Sequence, residues 1–179
     1  MIDEAIDPDM CSFAVDAFEH NASTRESCNN PNGMHFHQLN ITDVARRDEQ
    51  VDKLQKYMVD ASKFYIELYK SRIADTDFWP TSYGFEEFRL KKYETNGLDQ
   101  FADHVDAANL NTAKRFLVFF WYLNDVQVGG ETEFLNMDLR VIPKKGRLLM
   151  FPPLWLFPHR GNKPITGPKY ILGSYLHFT

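Results

Sequence analysis

Residues 86–124 read EEFRLKKYETNGLDQFADHVDAANLNTAKRFLVFFWYLN, and this stretch decides the fold. It holds three short segments rich in aromatic and aliphatic residues, at 86–94, 100–106 and 114–124, separated by Asn, Asp and Gly residues that favour turns. Four similar segments follow, at Glu131–Phe134, Leu139–Ile142, Arg147–Phe151 and Tyr170–Phe178. Strands spaced this closely predict a sandwich, barrel or jelly roll, with the last strand inside the sheet.

Helices are predicted upstream of these strands. Asp7-Pro8, followed by apolar residues on one face, predicts a short capped helix, and residues 21–34 are predicted to be a loop because turn formers dominate them. From about Thr42 to Arg72, apolar residues recur at steps of three and four, which predicts a longer helix covering one face of the sheet. We expect one α+β, mainly β domain over residues 1–179, with helical support and loops in 1–85 and the β-core in 86–179.

The composition argues against several classes of protein. Apolar residues make up 44% of the 179 residues, which suffices for a sizeable core and argues against wholesale disorder. The net charge of -5 argues against nucleic acid as a partner, because non-specific affinity for phosphates comes from Lys and Arg. Residues 1–90 hold 9 Lys/Arg against 17 Asp/Glu, and residues 91–179 hold 11 against 8. This asymmetry either reflects scattered surface charge or indicates that an anionic small molecule binds in the second half.

No feature of the sequence indicates export or membrane insertion. No window approaches the roughly 18 unbroken apolar residues of a membrane span. The start of the chain is acidic where a signal peptide is basic. The two cysteines, Cys11 and Cys28, are too few to stabilise a domain of this size through disulfide bonds. They are expected to be free thiols in a reducing compartment. We therefore expect a cytoplasmic protein without a membrane partner. No pattern in the sequence indicates an oligomeric state.

The candidate chemistry centres on His104-Val105-Asp106. On a strand, residues i and i+2 share a face, so this imidazole and carboxylate can take adjacent corners of one octahedral ion. The pair alone is weak evidence and would equally suit an exposed strand edge. His159 follows the strand predicted at Arg147–Phe151, and it would complete the two-His, one-carboxylate triad of non-haem Fe(II) oxygenases.

Lys169 adds a cation at the head of the last predicted strand. A facial triad leaves metal positions open, and a 2-oxoacid can fill two of them through its carboxylate and keto oxygen. The far carboxylate of such a cosubstrate then needs a cation at a fixed distance, which a partly desolvated Lys169 would supply. The alternative is an exposed lysine at the start of a strand.

Ordered blocks in the second half carry a family resemblance. They are Tyr93, His104-Val105-Asp106, Arg115, Tyr122-Leu123-Asn124-Asp125, Gly129-Gly130-Glu131-Thr132, Pro143–Phe151, Pro158-His159 and Gly167-Pro168-Lys169-Tyr170. On these blocks, the stretch from about Glu86 to Thr179 resembles the 2-oxoglutarate- and Fe(II)-dependent prolyl hydroxylases. It is similar both to the prolyl 4-hydroxylase catalytic domain and to the hypoxia-inducible-factor prolyl hydroxylases. The resemblance implies a double-stranded β-helix, or jelly roll, with the N-terminal helices on its outer face.

The resemblance also implies roles for individual residues. The implied iron ligands are His104, Asp106 and His159, and the implied 2-oxoglutarate contacts are Lys169, Tyr122 and Tyr93. Arg115 matches an arginine that helps to hold the substrate, and Tyr175 stands in the pocket wall where relatives commonly have tryptophan. Read from the residues alone, the two tyrosines Tyr93 and Tyr122 could instead be core aromatics, and Arg115 a surface residue.

The function that the resemblance implies is hydroxylation of a prolyl residue in a peptide or protein. The implied cofactor is Fe(II), the cosubstrates are 2-oxoglutarate and O2, ascorbate is a possible reductant, and the products include succinate and CO2. Two alternatives stay open at this point. The same chemistry could act on a free amino acid, another side chain or an alkylated nucleobase, or the domain could be a non-catalytic metal-binding jelly roll.

Overall fold

The computed structural model describes residues 1–73 and 76–179. Its helices are α1 (Pro8–His20), α2 (Ile41–Ala45) and α3 (Glu49–Lys70), with short 3-10 turns at Ala22–Thr24 and Thr76–Phe78. Its strands are β1 (Glu26–Asn30), β2 (Met34–Asn40), β3 (Tyr83–Phe85), β4 (Arg89–Tyr93), β5 (Gln100–His104), β6 (Arg115–Tyr122), β7 (Thr132–Phe134), β8 (Leu139–Val141), β9 (Leu148–Phe151), β10 (His159–Gly161) and β11 (Lys169–Phe178). The seven strand segments predicted from the sequence correspond to β4–β9 and β11.

The strands form one antiparallel sheet in the order β8-β7-β10-β5-β2-β4-β11-β6-β9, with β1 beside β2 and β3 beside β11. Although β7 and β9 are far apart in this order, Phe134 of β7 and Phe151 of β9 pack edge to face with ring centroids 4.9 Å apart. The two ends of the sheet therefore curl toward each other around a shared apolar cluster. This curled sheet is the predicted jelly-roll fold, and β11 lies inside it as expected.

Alternation along the central strands decides which side chains face the inside of the curl. On β11, Leu172 and Leu176 are fully buried against the helices, so Lys169, Ile171 and Tyr175 lie on the opposite, inner face. On β4, Leu90 is in the same helical core, which places Lys91 and Tyr93 on the inner face. The alternation of side chains along β4 and β11 thus places Lys91, Tyr93, Lys169 and Tyr175 on the inner face of the curled sheet.

The helices cover the outer face of the sheet. Asp7 caps α1, where its carboxylate accepts a hydrogen bond from the backbone N–H of Asp9. Asp48 caps α3 in the same way, and Val51, Leu54, Met58 and Ile66 bury one face of that helix. The continuous helix predicted from about Thr42 to Arg72 is therefore wrong, because the cap at Asp48 divides it into α2 and α3. Among the described helices, none combines the length and the apolar character needed to cross a membrane.

The loop predicted for residues 21–34 is also wrong. Glu26–Asn30 and Met34–Asn40 form an antiparallel hairpin, and the second strand lies between β5 and β4 in the sheet. Its turn contains Asn32-Gly33, with Gly33 in the left-handed region at φ 80°, which is a common hairpin signal. This hairpin is rich in polar residues and turn formers, which are typical of loops. The alternation of apolar and polar residues in β2 is too short to indicate a strand by itself.

Gly173 lies in the middle of β11, opposite Phe120 of β6. A Cβ built there would collide with the backbone carbonyl oxygen of Phe119, which no rotamer change can relieve. We expect Gly173→Ala to lower the free energy of unfolding by about 2 kcal/mol or more, measured by chemical denaturation. Gly167→Ala is the matched control, because a Cβ there meets no atom within 4 Å; equal stability of the two variants would contradict this packing.

Candidate active site

Three side chains that could bind a metal converge at the inner end of β5 and β10. His104 ends β5, Asp106 follows two residues later, and His159 begins β10 directly opposite His104 in the antiparallel pairing. One ligand atom from each of the three residues lies within 4.8 Å of the others. Nε2 of His104 lies 3.6 Å from Oδ1 of Asp106, and Nε2 of His159 lies 3.5 Å from Oδ2. Strand pairing therefore joins residues that are far apart in the sequence.

Backbone carbonyl groups set the tautomer of both imidazoles. Nδ1 of His104 lies 2.7 Å from the carbonyl oxygen of Ala102, and Nδ1 of His159 lies 3.0 Å from that of Phe157. A carbonyl oxygen can only accept a hydrogen bond, so each Nδ1 carries the proton and each Nε2 keeps a free lone pair. Phe101 stacks on the His104 ring at 3.7 Å and limits its rotation. Both rings thus present Nε2 to Asp106.

The protonation states match a metal-binding donor set. Burial lowers the pKa of His159 and favours the neutral imidazole. Burial acts to raise the pKa of Asp106, but the neighbouring imidazoles of His104 and His159 and the hydroxyl of Tyr175 together lower it to about 2, so the carboxylate is ionised. Two imidazoles and one carboxylate form the donor set of the Fe(II) facial triad.

The residues present fit a divalent cation. Nε2 of His104 and Oδ2 of Asp106 are buried and have no hydrogen-bond partner among the described residues. A buried lone pair without a partner costs about 1–3 kcal/mol, and a cation between these atoms would satisfy both. The unpaired atoms point to a site for an ion rather than to a polar cluster that is complete in itself.

Lys169 lies on the inner face at the start of β11 and is only 2% exposed. Its Nζ donates to the carbonyl oxygen of Gly130 at 3.0 Å and lies 4.3 Å from the centre of the Tyr93 ring. Burial lowers the pKa of Lys169 to about 7, with Glu131 opposing this effect and Lys91 adding to it. Lys169, Tyr93 and the three triad residues line one inner cavity of about 50 Å³.

Tyr93 and Tyr122, both predicted to contact a cosubstrate, occupy different positions. Tyr93 is 1% exposed and forms part of the cavity wall. Tyr122 is fully buried behind that wall, with its hydroxyl 2.6 Å from Oγ1 of Thr132 and 3.4 Å from the carbonyl oxygen of Val141. Thr132 itself lines the cavity. The block Gly129–Thr132, which ends at Thr132, was noted in the sequence, but no role was predicted for Thr132 itself.

Arg115 and Tyr175, the predicted substrate-binding residues, lie beside Asp106. The Arg115 guanidinium forms two hydrogen bonds with the carboxylate of Glu86, at 2.8 and 2.7 Å, and a third with the carbonyl oxygen of Asp106 at 3.0 Å. It also stacks 3.9 Å from the centre of the Tyr175 ring, whose hydroxyl donates to Oδ1 of Asp106 at 2.7 Å. These contacts hold Asp106 in place. Glu86, the partner of Arg115, was missed from the sequence because nothing local marks it.

A larger groove of about 780 Å³ opens beside the triad. His104, Asp106, Arg115, Tyr175 and Lys91 are among the side chains that line it. Lys91 and Tyr175 also line the inner cavity, so the two spaces adjoin at these residues. The arrangement offers a small cavity that carries Lys91 and Lys169 for a cosubstrate and an open groove for a larger substrate, with the candidate metal ligands between them.

Comparison with known proteins gives a consistent result. Residues 88–177 match the family model described as the 2OG-Fe(II) oxygenase superfamily. Among curated proteins, human prolyl 4-hydroxylase subunit alpha-1 is 27% identical over 108 residues, covering 51% of this chain and 20% of that protein. The mouse protein of the same name matches equally well. The chain therefore spans about a fifth of the length of the curated relatives it matches.

Solved structures of three relatives share the fold. The viral collagen prolyl hydroxylase of Paramecium bursaria Chlorella virus-1, in a 2OG complex, is 20% identical with a TM-score of 0.70, and 99% of this chain and 94% of that chain are covered. The prolyl hydroxylase of Trichoplax adhaerens, in complex with a hypoxia-inducible-factor peptide fragment, is 17% identical with a TM-score of 0.76, over 99% and 82%. A Pseudomonas putida prolyl-4-hydroxylase is 16% identical with a TM-score of 0.69, over 99% and 91%.

Proposed function

The chain belongs to the 2OG-Fe(II) oxygenase superfamily, and from that premise we propose that it hydroxylates a prolyl residue in a peptide or protein. The reaction uses Fe(II), 2-oxoglutarate and O2 and releases succinate and CO2. The observation that carries the proposal is the convergence of His104, Asp106 and His159 next to the buried Lys169, with Nε2 of His104 and Oδ2 of Asp106 left unpaired among the described residues.

Each residue of the site has a distinct task in this proposal. His104, Asp106 and His159 hold the ion, and Lys169 binds the far carboxylate of 2-oxoglutarate in the inner cavity, with Tyr93 forming its wall. When bound, Fe(II) and 2-oxoglutarate together activate O2 and supply the oxidising power that inserts one oxygen atom into a C–H bond. Arg115 and Tyr175 keep the Asp106 carboxylate oriented, because they contact its backbone oxygen and its Oδ1.

The substrate class rests on the groove and on the relatives. The groove of about 780 Å³ opens to solvent and reaches the triad, so it can accept a segment of a peptide whose two ends extend beyond it. Each of the curated and structural relatives reported above is named as a prolyl hydroxylase, and one of them holds a peptide. A peptide or protein that contains proline is therefore the proposed partner of this groove.

The experiment that tests this function is mass spectrometry on a panel of proline-containing peptides. The protein is incubated with Fe(II), ascorbate and 2-oxoglutarate, and we expect one peptide to gain the mass of one oxygen atom on proline. Gain of oxygen on another residue, or on an alkylated base, would contradict the prolyl substrate while keeping the chemistry. Metal binding without any consumption of 2-oxoglutarate would contradict the enzyme itself and favour a binding module.

The pKa of Lys169 predicts how the affinity for 2-oxoglutarate depends on pH. A lysine with a pKa of about 7 is charged below that pH, and it must take up a proton to bind a carboxylate above it. We expect the dissociation constant to be flat below about pH 6 and to rise toward tenfold per pH unit above about pH 7. Calorimetry on Mn(II)-loaded protein measures both the constant and the proton uptake. A constant that does not change with pH would contradict the low pKa.

A further inference from the structure

Lys91 lies in the middle of β4, on the face that points into the site. It shares this inner face with Tyr93, whereas Leu90 packs into the helical core and Lys92 points away. Lys91 lines both the inner cavity and the outer groove. The side chain is thus placed where the two spaces meet, and the function proposed above gives it no task.

The ammonium of Lys91 lacks an anionic partner in the protein. Within residues 1–73 and 76–179, its Nζ makes no hydrogen bond or ion pair; it lies over the rings of Phe36 and Phe101, 4.9 and 5.1 Å from their centres. Lys92, by contrast, pairs with Glu19 at 2.9 Å and Glu94 at 2.7 Å. Lys91 is half-buried, and aromatic faces compensate a partly desolvated ammonium only in part. Lys91 therefore retains the capacity to bind a carboxylate.

The two lysines of the inner cavity lie near different acidic groups. Burial lowers the pKa of Lys91, and Asp106 of the triad is the main opposing charge. For Lys169 the opposing charge is Glu131. Lys91 and His104 also contact the same ring, that of Phe101. Lys91 also lines the outer groove together with His104 and Asp106, whereas Lys169 lines only the inner cavity, where its Nζ contacts Gly130. Lys91 therefore lies on the triad side of the cavity and Lys169 on the far side.

The charges of the cavity wall suit a dicarboxylate. Besides the imidazoles, the wall carries two ammonium groups, from Lys91 and Lys169, and one carboxylate, from Asp106. The carboxylate is a candidate metal ligand, which leaves both ammonium groups for a ligand. A 2-oxodicarboxylic acid has one carboxylate next to the keto group, which chelates the metal, and one at the far end of the molecule.

We propose that Lys91 is a second carboxylate-binding residue, whose ammonium donates to the metal-side carboxylate of 2-oxoglutarate while Lys169 binds the far one. This inference rests on the proposed function and adds a contact that the family motif does not contain. It predicts that the two lysines contribute to binding through different ends of the same ligand.

Calorimetry on Mn(II)-loaded protein distinguishes the contacts to the two carboxylates of the ligand. It compares 2-oxoglutarate with 2-oxopentanoate, which lacks the far carboxylate. We expect Lys91→Met to weaken both ligands by about tenfold, because a hydrogen bond to a charged group is lost. Lys169→Met should weaken only 2-oxoglutarate. Lys91→Arg should keep most of the affinity, and Lys92→Met, on the opposite face of the same strand, should bind both ligands like the unmodified protein.

Binding of Mn(II) alone shows whether Lys91→Met disturbs the triad. Removing a positive charge near a cation site leaves the affinity for Mn(II) unchanged or raises it, whereas a distorted triad would lower it. An unchanged dissociation constant for 2-oxoglutarate in Lys91→Met would overturn the assignment of Lys91 alone. Failure of the unmodified protein to bind 2-oxoglutarate would instead overturn the proposed function, and this assignment with it.

Discussion

Asp106→Ala is expected to weaken the affinity for the metal by at least about 100-fold and to abolish the formation of succinate. Replacement of residues that only support a metal ligand typically costs 10–100-fold in affinity, so loss of the one carboxylate ligand should cost more. Asp106 is also the group to which both imidazoles point, at 3.6 and 3.5 Å, and without it the site has no negative charge to balance a divalent ion. Calorimetric titration with Mn(II) measures the loss.

Asp103→Ala provides the matched control. Asp103 lies on β5, three residues before Asp106, but it is exposed and pairs with Arg160 at 3.4 Å on the surface. The Asp103→Ala variant should therefore bind Mn(II) like the unmodified protein. Thermal unfolding of both variants shows that the fold is kept. If Asp106→Ala is folded and still binds Mn(II) with the original affinity, the triad assigned here is not the metal site.

Lys169→Met is expected to raise the KM for 2-oxoglutarate by about 30-fold or more, with a smaller effect on kcat. Removing one partner of a buried, hydrogen-bonded charge pair costs about 2–5 kcal/mol, and Lys169 is the only residue on the far side of the cavity with a buried ammonium among those described. Methionine keeps the length of the side chain, so the packing against Tyr93 should survive. Succinate formation at increasing concentrations of 2-oxoglutarate gives both constants.

Lys163→Met controls for the loss of a lysine, because Lys163 is exposed and its Nζ contacts only the carbonyl oxygen of Gly97 among the described residues. Its KM for 2-oxoglutarate should match that of the unmodified protein. A Lys169→Met variant whose KM is unchanged would show that the far carboxylate binds elsewhere.

The strands of the second half could be predicted because their sequence is locally consistent. Apolar runs such as residues 115–122 lie between turn formers, and β4–β9 and β11 appear where these runs occur. The hairpin of β1 and β2 could not be found in this way, because its stability comes from pairing with β4 and β5 rather than from its own composition. The helix break at Asp48 was missed for a related reason, since one charged residue can belong to an exposed helix face or to a cap.

The site was accessible from the sequence only in part. Spacing suggested His104 and Asp106, but β5 ends at His104, so Asp106 reaches the site from the residues after the strand rather than from a shared strand face. The antiparallel partner of His104 is His159, and no local pattern reveals such long-range pairing. Lys91 has the same parity as Tyr93 on β4, which was visible in the sequence, but its lack of a partner is a property of the folded protein.

The most direct test of the account is the ratio of succinate formed to oxygen atoms gained by a proline-containing peptide, measured in one reaction with Fe(II) and 2-oxoglutarate. The account predicts that the peptide accelerates succinate formation and that one succinate appears for each hydroxyl group added to proline. It would be contradicted if the metal-loaded protein bound 2-oxoglutarate but formed no succinate with any peptide of the panel.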